Sequence, residues 1–434
     1  MSTDDSPARR SRPGRDVLVS VTVAVLAAAA AWSRLDATTR GTLWAEDGRV
    51  FVLDAWGEAW WRVLLEPYGG YLHLVPRVLA ELAVTVVPTE DVAVAVTALS
   101  CAVAGAVAGV VHACAASVTP SRGGRLALAA LTVVVPAAGV EVLGNLANLH
   151  WFFLWATPWL LLHRPRTRTG AAALGLLGLA AALTEVQVAY FLPLAVLGLR
   201  ERRCLPVRAG LLIGLGAQAV AVLTVPRGEA VGLVPGVDVV AAGYLVDVVL
   251  PVWLGTPETV TVVLAGVGWG AAVLALVPTC LAAVLVARRA TGTERTAGLV
   301  LPVFSVVTWA IPVLLNRAAF DWSRPDPGDP AVEVIRYAVV ASMLLVSGIV
   351  LAARHVPRRR WAQVPAVLVA LTLTAASVHA WQVPGTQRQA GPSWQREVAD
   401  ARRACSTPDV VVELEAAPDA HWTVRVPCGV LDDG

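Results

Sequence analysis

Residues 91–113 read DVAVAVTALSCAVAGAVAGVVHA, an apolar run that contains no Arg, Lys or Glu. A helix needs about 20 apolar residues to cross the hydrocarbon core of a bilayer, so this segment predicts a transmembrane helix. Similar runs recur up to residue 381, and the 434-residue chain is 56% hydrophobic and 15% charged, with a mean hydropathy of +0.65. This composition excludes a soluble protein and nucleic-acid binding, and it predicts an all-α polytopic membrane protein.

Eleven apolar segments are predicted to span the membrane. They are residues 17–33, 91–113, 125–141, 147–163, 170–183, 187–199, 209–226, 259–287, 298–315, 334–353 and 362–381. The segments 170–183 and 187–199 are shorter than a full crossing requires, so a tilted or partly inserted hairpin is the alternative there. The proline and charged residues of Tyr71–Pro88 favour an amphipathic juxtamembrane helix on the outer surface instead of a span.

Arginine-rich loops predict the orientation, because basic loops stay on the cytoplasmic side. These loops contain Arg122 and Arg125, His163–Arg168, Arg200–Arg208, Arg288–Arg295 and Arg354–Arg360. The N-terminus is therefore predicted to lie inside and the C-terminus outside. All basic residues other than histidine are Arg, which is typical of a GC-rich bacterial genome, so the expected location is a bacterial plasma membrane. The predicted units are a cytoplasmic tail 1–16, a transmembrane domain 17–381 with an outer loop 34–90, and an extracytoplasmic tail 382–434.

The polar tail 382–434 contains two of the six cysteines, Cys405 and Cys428. An extracytoplasmic tail lies in an oxidising compartment, where such a pair is expected to form a disulfide. The runs Val410–Glu415 and Trp422–Val426 alternate as two short strands do, and the disulfide would hold them side by side.

Two adjacent acids, Glu46 and Asp47, follow the first span in the sequence Trp44-Ala-Glu-Asp-Gly-Arg49. Such a pair can serve as a general base or hold a divalent cation, and no other cofactor is indicated. A solvated turn is the alternative, since Glu-Asp-Gly is ordinary loop sequence.

Further along the outer loop, Glu66–Arg77 reads EPYGGYLHLVPR. His73 and Arg77 are four residues apart, which on a helix places a proton-transfer group and a phosphate-binding group on one face. With Tyr71 and the nearby tryptophans they suit a sugar ligand. A membrane-interface aromatic belt and an ion pair from Arg77 to Glu81 are the alternatives.

Polar residues also occupy later outer turns. One turn carries Glu141, Asn145 and His150, and the next carries Thr184, Glu185 and Gln187. Acids at a membrane edge are costly unless they face a cavity, so these turns and the 44–77 loop are predicted to converge on one polar cavity. The last predicted site lies at the start of the span 334–353. There Arg336 would clamp the phosphate of a lipid-linked substrate beside Tyr337, or else extend to the lipid headgroups.

This order of features resembles the GT-C superfamily, the integral membrane glycosyltransferases that use polyprenyl-phosphate sugars. The layout resembles it over residues 17–350, and segments 44–77, 141–151 and 333–337 resemble bacterial membrane proteins near its glucosyltransferase branch. The resemblance implies a GT-C-like fold and sugar transfer to a glycan, lipid or protein acceptor in the cell envelope.

The resemblance also implies roles for individual residues. Asp47 or Glu46 would be the catalytic base, and Arg77 or Arg336 would offset charge on the departing lipid phosphate in a single inverting displacement. Glu141 would provide the second acidic motif, although its neighbours are amides, which weakens the case for a metal ion. A lipid-linked-saccharide flippase and a non-catalytic subunit of an envelope-assembly complex are the competing hypotheses.

Overall fold

The structure is a computed structural model that describes residues 13–197, 199–225, 232–317, 322, 335–381, 387–419 and 421–432. Residues 1–12 of the predicted cytoplasmic tail and most of the loop 316–333 lie outside the described residues. The described chain is largely helical, and its single sheet has two strands. The predicted all-α class is confirmed.

The helices run in chain order through the bundle to a small C-terminal unit. The first group comprises α1 (Pro13–Ser33), α2 (Ala37–Arg40), α3 (Leu53–Gly57), α4 (Trp60–Val63), α5 (Leu74–Val86), α6 (Val92–Cys114), α7 (Arg122–Val134) and α8 (Leu149–Leu162). The second comprises α9 (Arg168–Thr184), α10 (Leu192–Ala195), α11 (Leu205–Thr224), α12 (Val237–Gly243), α13 (Leu250–Leu254), α14 (Pro257–Val267), α15 (Gly270–Arg289), α16 (Gly292–Leu315), α17 (Ile335–Ala353) and α18 (Arg360–His379). The C-terminal unit comprises α19 (Trp394–Ala404), β1 (Val411–Glu415), β2 (Thr423–Pro427) and α20 (Cys428–Asp432).

Short stretches of 3₁₀- or π-helix connect or extend these helices. They are Asp47–Val52, Thr89–Asp91, Ala115–Ser117, Pro136–Gly139, Val186–Phe191, Arg202–Cys204 and Tyr244–Val249.

Eight helical stretches of the described chain are long and apolar enough to cross a membrane. They contain α1, α6, α11, the continuous stretch Val237–Leu254, α15, α16, α17 and α18. Seven coincide with predicted spans, and the stretch Val237–Leu254 lies where the sequence predicted a loop. The chain is therefore a multi-pass membrane protein.

The unpredicted helix Val237–Leu254 starts and ends at the same end of the bundle. Near its start, the carbonyl oxygen of Val240 accepts a hydrogen bond from Trp309 Nε1 in the last turns of α16. Just past its end, Gly255 packs against the last turn of α18, where a Cβ atom would lie 3.0 Å from the His379 ring. The segment between the predicted spans 209–226 and 259–287 is therefore partly helical, and both ends of this helix lie at one end of the bundle.

Four predicted spans are shorter than a regular crossing. α7 has 13 residues, α8 has 14 and α9 has 17. The predicted span 187–199 is a 3₁₀ segment, Val186–Phe191, followed by the single turn α10. Because a 3₁₀-helix rises about 2.0 Å per residue against about 1.5 Å in an α-helix, this segment covers more distance than its length suggests.

Helices α9 and α11 run side by side at very close approach. A Cβ atom added at Gly210 would lie 2.1 Å from the carbonyl oxygen of Gly175, so glycine is required at this crossing. Small residues allow such close backbone contact between membrane helices. The pair forms one wall of the bundle and supports the 34–90 loop described below.

Polar contacts show that the connecting loops lie at two opposite ends of the bundle. At the arginine end, which holds the five Arg-rich loops named above, Glu294 accepts hydrogen bonds from Arg354 and His355. At the opposite end, the loop end, Arg34 donates to carbonyl oxygens at the end of α7 and in the turn after α18, among them that of Ala380 at 3.0 Å. The loop end holds the 34–90 loop and the turns after α7 and α9. The assignment of the arginine end to the cytoplasm remains a prediction.

Helix α5 lies within Tyr71–Pro88, where the sequence predicted a juxtamembrane helix. Its 13 residues measure about 20 Å, less than the roughly 30 Å of a bilayer core. It exposes Val78, Leu82 and Val86, which lie four residues apart on one face. This length and apolar face fit a helix that lies along the membrane and does not cross it.

The C-terminal unit is built on an antiparallel hairpin in which Val412 pairs with Val426 and Leu414 with Val424. The two predicted strands are confirmed, with bounds shifted by one residue. A disulfide joins Cys405 after α19 to Cys428 at the start of α20. The unit packs on the loop end of the bundle, where the next subsection places the candidate site.

Candidate functional site

A cavity of about 460 Å³ opens at the loop end of the bundle. Segments far apart in sequence meet around it: the 34–90 loop, the turn before α8, the 3₁₀ segment after α9, the end of α16 and the start of α17. Its polar and aromatic lining residues are Trp44, Glu46, Phe51, Tyr68, Tyr71, His73, Asn148, His150, Trp151, Gln187, Tyr190, Asn316, Arg336 and Tyr337. The structure therefore brings together the polar turns that the sequence predicted to converge.

The two adjacent acids have different environments. Asp47 is fully buried, and its carboxylate oxygens accept hydrogen bonds from the backbone N–H groups of Leu146 and Ala147, both at 2.8 Å. Burial raises the pKa of Asp47 to about 7, against the opposing effect of these two hydrogen bonds. Glu46 lines the cavity instead, and its Oε2 atom is buried with no hydrogen-bond partner among the described residues. Asp47 therefore ties two loops together, and Glu46 is the acid that a ligand can reach.

The residue after Asp47 is Gly48, and close contacts leave no room for a side chain at this position. A Cβ atom at Gly48 would lie 2.6 Å from Cγ2 of Val424 in β2 and 2.8 Å from Cδ2 of Leu43. The C-terminal hairpin can therefore pack directly on the segment that carries Glu46. A backbone bridge between Trp44 and Ala417 adds to the same interface.

Arg336 enters the cavity from the start of α17, held by an ion pair with Glu141. Its Nη1 atom lies 3.1 Å from Glu141 Oε1, and 39% of the Arg336 side chain remains exposed. Burial raises the pKa of Glu141, and the charge of Arg336 opposes that rise. The neighbouring Tyr337 hydroxyl accepts a hydrogen bond of 2.8 Å from the Asn316 amide. Glu141 thus reaches the cavity through Arg336 and is not itself part of its lining.

His150 hydrogen-bonds through Nδ1 to Glu185 Oε2. Glu185 is completely buried, and its other oxygen accepts the backbone N–H of Gln187 at 2.6 Å. Sequence reasoning grouped Glu185 with the polar turns but did not pair it with His150, because the two residues lie 35 positions apart, His150 in α8 and Glu185 just after α9.

His73 also lines the cavity, with its ring centroid 4.1 Å from that of Tyr71. Its Nε2 atom donates to the carbonyl oxygen of Tyr68 at 3.2 Å, which leaves Nδ1 buried with no partner in the described chain. Burial, with the nearby His150, lowers the pKa of His73 to about 3. The ring is therefore neutral near pH 7. In this tautomer its Nδ1 atom is positioned as a hydrogen-bond acceptor, and the proton-transfer role remains a prediction.

Arg77 was predicted to bind phosphate, but it lies away from the cavity lining that the described residues form. It is buried, its Nη1 atom lies 2.9 Å from Asp54, and its Nε atom donates to the carbonyl oxygen of Glu66. Its ion-pair partner among the described residues is thus Asp54 and not Glu81. His73 precedes α5 and does not share a helical face with Arg77, so the predicted i, i+4 arrangement is wrong.

Asn145 was also predicted to bind substrate. It is buried within its own turn, where Nδ2 donates to the carbonyl oxygen of Glu141 and Oδ1 accepts the backbone N–H of Asn148. Asn148, two residues before His150, lines the cavity in its place. Asn145 therefore shapes the turn that positions these two side chains.

Gln218 in α11 fixes the 34–90 loop against the bundle. Its Oε1 atom accepts the backbone N–H of Leu72 at 2.8 Å, and its Nε2 atom donates to the carbonyl oxygens of Leu72 and Ala182. Gln218 lies within the predicted span 209–226. It positions Tyr71 and His73 beside the cavity, a role that sequence reasoning missed.

Four cavity-lining side chains carry buried polar atoms that find no hydrogen-bond partner in the described ranges. They are the acceptors Glu46 Oε2, His73 Nδ1 and Gln187 Oε1 and the donor Trp44 Nε1. Buried polar atoms are normally paired, so this concentration points to a ligand that supplies hydrogen-bond donors. No group of three or more His, Cys, Asp or Glu residues in the described chain could hold a metal ion.

Comparison with protein-family models, with curated proteins and with solved structures finds no match to this chain.

Proposed function

We propose that the protein is a membrane glycosyltransferase that moves a sugar from a polyprenyl-phosphate donor to an acceptor at the loop end of the bundle. One observation carries the proposal. The three unpaired acceptors Glu46 Oε2, His73 Nδ1 and Gln187 Oε1 surround an aromatic cavity that also contains the cation Arg336. Sugars offer many hydroxyl donors and an apolar ring face, and lipid phosphates require a cation.

In the proposed reaction, Glu46 accepts the proton of the acceptor hydroxyl. The acceptor oxygen attacks the anomeric carbon as the bond from that carbon to the phosphate oxygen breaks. The polyprenyl phosphate leaves with one more negative charge, which the guanidinium of Arg336 stabilises. A single displacement of this kind inverts the anomeric configuration.

The position of the cavity supports a lipid-linked substrate. α16 and α17, which supply Asn316 and Arg336, are membrane-length helices, so the cavity opens where these helices end. A phosphate at headgroup depth can reach Arg336 while its prenyl chain remains in the bilayer. Because Glu141 holds Arg336, the guanidinium is in place before the substrate arrives.

The test is a transfer assay with membranes containing the full chain, synthetic prenyl-phosphate hexoses carrying a radiolabelled sugar, and envelope extract from a high-GC bacterium as the acceptor source. Glu46→Gln should lower label transfer by about 10²–10⁴-fold, the usual effect of losing a positioned base. Glu58→Gln, the same change at an exposed site in the same loop, is the matched control and should have no effect.

Full activity of Glu46→Gln in this assay would contradict the base assignment. Absence of labelled product with every hexose, together with normal binding of the lipid-linked sugar, would favour the transporter or the non-catalytic subunit instead.

A further inference from the structure

The displacement proposed above leaves the His150–Glu185 pair without a role. Glu185 is completely buried, and both of its oxygens accept hydrogen bonds, one from His150 and one from the Gln187 backbone. An ionised carboxylate can only accept, so Nδ1 of His150 carries a proton. In the tautomer that carries this proton on Nδ1, Nε2 has a lone pair, and Nε2 is the nitrogen that remains for a ligand in the cavity.

Gln187 extends this acceptor surface. Its backbone N–H fixes Glu185, while its side-chain Oε1 lines the cavity, buried and unpaired within the described residues. One short 3₁₀ segment thus orients the carboxylate that holds His150 and presents a second acceptor beside it. Both acceptors are fixed in position without a ligand present.

The acceptor surface formed by His150 and Gln187 differs in charge from the position proposed for the phosphate. The carboxylate of Glu185 lies directly behind the His150 ring, which disfavours an anion there. Arg336 provides the cation that a phosphate requires, and it lies on α17, a different element of the cavity wall. The His150 surface therefore suits an uncharged hydrogen-bond donor, which in a lipid-linked sugar is a ring hydroxyl.

We propose that His150, oriented by Glu185 and flanked by Gln187, binds one hydroxyl group of the transferred sugar and thereby selects among lipid-linked sugars. This inference rests on the proposed function and adds a specificity-determining residue to it. The sugars accepted would carry a free hydroxyl at the position that His150 contacts, and analogues with hydrogen or an O-substituent there would be rejected.

The experiment measures equilibrium binding to the full chain in lipid nanodiscs. The probes are glucose, galactose and mannose linked to a C20 prenyl phosphate, followed by the monodeoxy analogues of whichever binds tightest. In the wild-type protein, one deoxy analogue should bind about tenfold more weakly than its parent or worse, because a buried acceptor is then left unpaired.

His150→Asn is the informative variant, since an Asn amide can still donate to Glu185 but has no atom at the Nε2 position. It should bind that deoxy analogue and its parent with equal affinity. The affinities of the other deoxy analogues relative to the parent sugar should stay at their wild-type values. Gln187→Met is a second variant that leaves the pair intact, and it should reduce discrimination at the same or an adjacent hydroxyl. His421→Asn, at an exposed site in the C-terminal unit, is the control and should change nothing.

If His150 has a purely structural role, His150→Asn should weaken the binding of all sugars by one common factor and leave every affinity ratio between sugars unchanged. This result would overturn the inference. Equal binding of the parent and all deoxy analogues by the wild-type protein would also overturn it and would leave the proposed function standing. Failure of the wild-type protein to bind any prenyl-phosphate hexose would overturn both.

Discussion

Val424 of the C-terminal hairpin lies directly on Gly48, two residues after the cavity acid Glu46, with no room between them for a methyl group. The hairpin and the acidic loop are therefore one packed unit, although about 370 residues separate them in the sequence. The geometry of Glu46 depends on this contact.

Gly48→Ala should accordingly destabilise the hairpin interface and lower sugar transfer. A shift of the neighbours to accommodate the Cβ atom typically costs about 1–3 kcal/mol. Gly57→Ala is the matched control, because nothing lies within 4 Å of a Cβ atom there. Thermal unfolding of both variants in detergent measures the difference. Val424→Ala should partly rescue Gly48→Ala, and failure of any rescue would show that the contact with Leu43 dominates.

Removal of the disulfide should loosen the same unit. Cys405 and Cys428 enclose a loop with a sequence separation of 23, and closing a loop of this size stabilises a fold by about 3 kcal/mol in the chain-entropy model. The Cys405→Ser/Cys428→Ser variant should be cut faster by protease between α19 and β2 than the wild-type protein. Cys280→Ser, which removes an exposed free cysteine, should leave the cleavage rate unchanged.

Asp47→Asn should reduce stability, in contrast to Glu46→Gln. An Asn side chain offers one acceptor atom, so the backbone N–H of either Leu146 or Ala147 loses its partner. A buried polar group left unpaired costs about 1–3 kcal/mol. Melting temperatures of the two variants provide the comparison. Equal melting temperatures would show that water replaces the lost contact.

His73 should make the protein sensitive to acid. Its pKa in the folded state is about 3, below the ordinary value of 6.5, so protonation opposes folding. The contribution of His73 to the free energy of unfolding is fully present above pH 6.5. It is lost as the pH falls toward 3, by roughly 1 kcal/mol per pH unit. His73→Gln should show a smaller drop in melting temperature between pH 7.5 and pH 5 than the wild-type protein. His421→Gln, at an exposed histidine, should retain the full drop.

Arg336→Lys should weaken binding of a prenyl-phosphate sugar by about tenfold, because an ammonium group lacks the planar fork of donors that matches phosphate. Lysine is preferred to alanine, which would leave the buried Glu141 without its counter-charge. Arg317→Lys, at an arginine outside the cavity, is the control. Unchanged donor affinity in Arg336→Lys would remove Arg336 from the phosphate site.

The presence and approximate position of the helices could be predicted for most of the membrane domain. The apolar runs of α6, α16 and α18 are long enough to specify a helix without information about their neighbours. The helix Val237–Leu254 was missed because Asp247 and Pro251 interrupt its apolar pattern. Asp247 is buried within the bundle, and that burial depends on packing with other helices.

At the candidate site, the sequence identified the segments but not the orientation of each side chain. It placed Glu46 and Asp47 together as equivalent acids, yet the hydrogen bonds from Leu146 and Ala147 bury one and leave the other facing the cavity. It also predicted that Arg77 binds phosphate. In the structure, Arg77 pairs with Asp54, which lies 23 positions earlier in the sequence.

The sequence by itself determined a multi-pass helical membrane protein whose polar turns gather at one end, because hydrophobicity and charge act locally and are visible in any short window. The tertiary structure alone decided that Glu46 faces the cavity, that Glu185 holds His150 and that Gln218 fixes the 34–90 loop. These relationships join residues from different helices, and their geometry follows from how the helices pack and not from the spacing of residues along the chain.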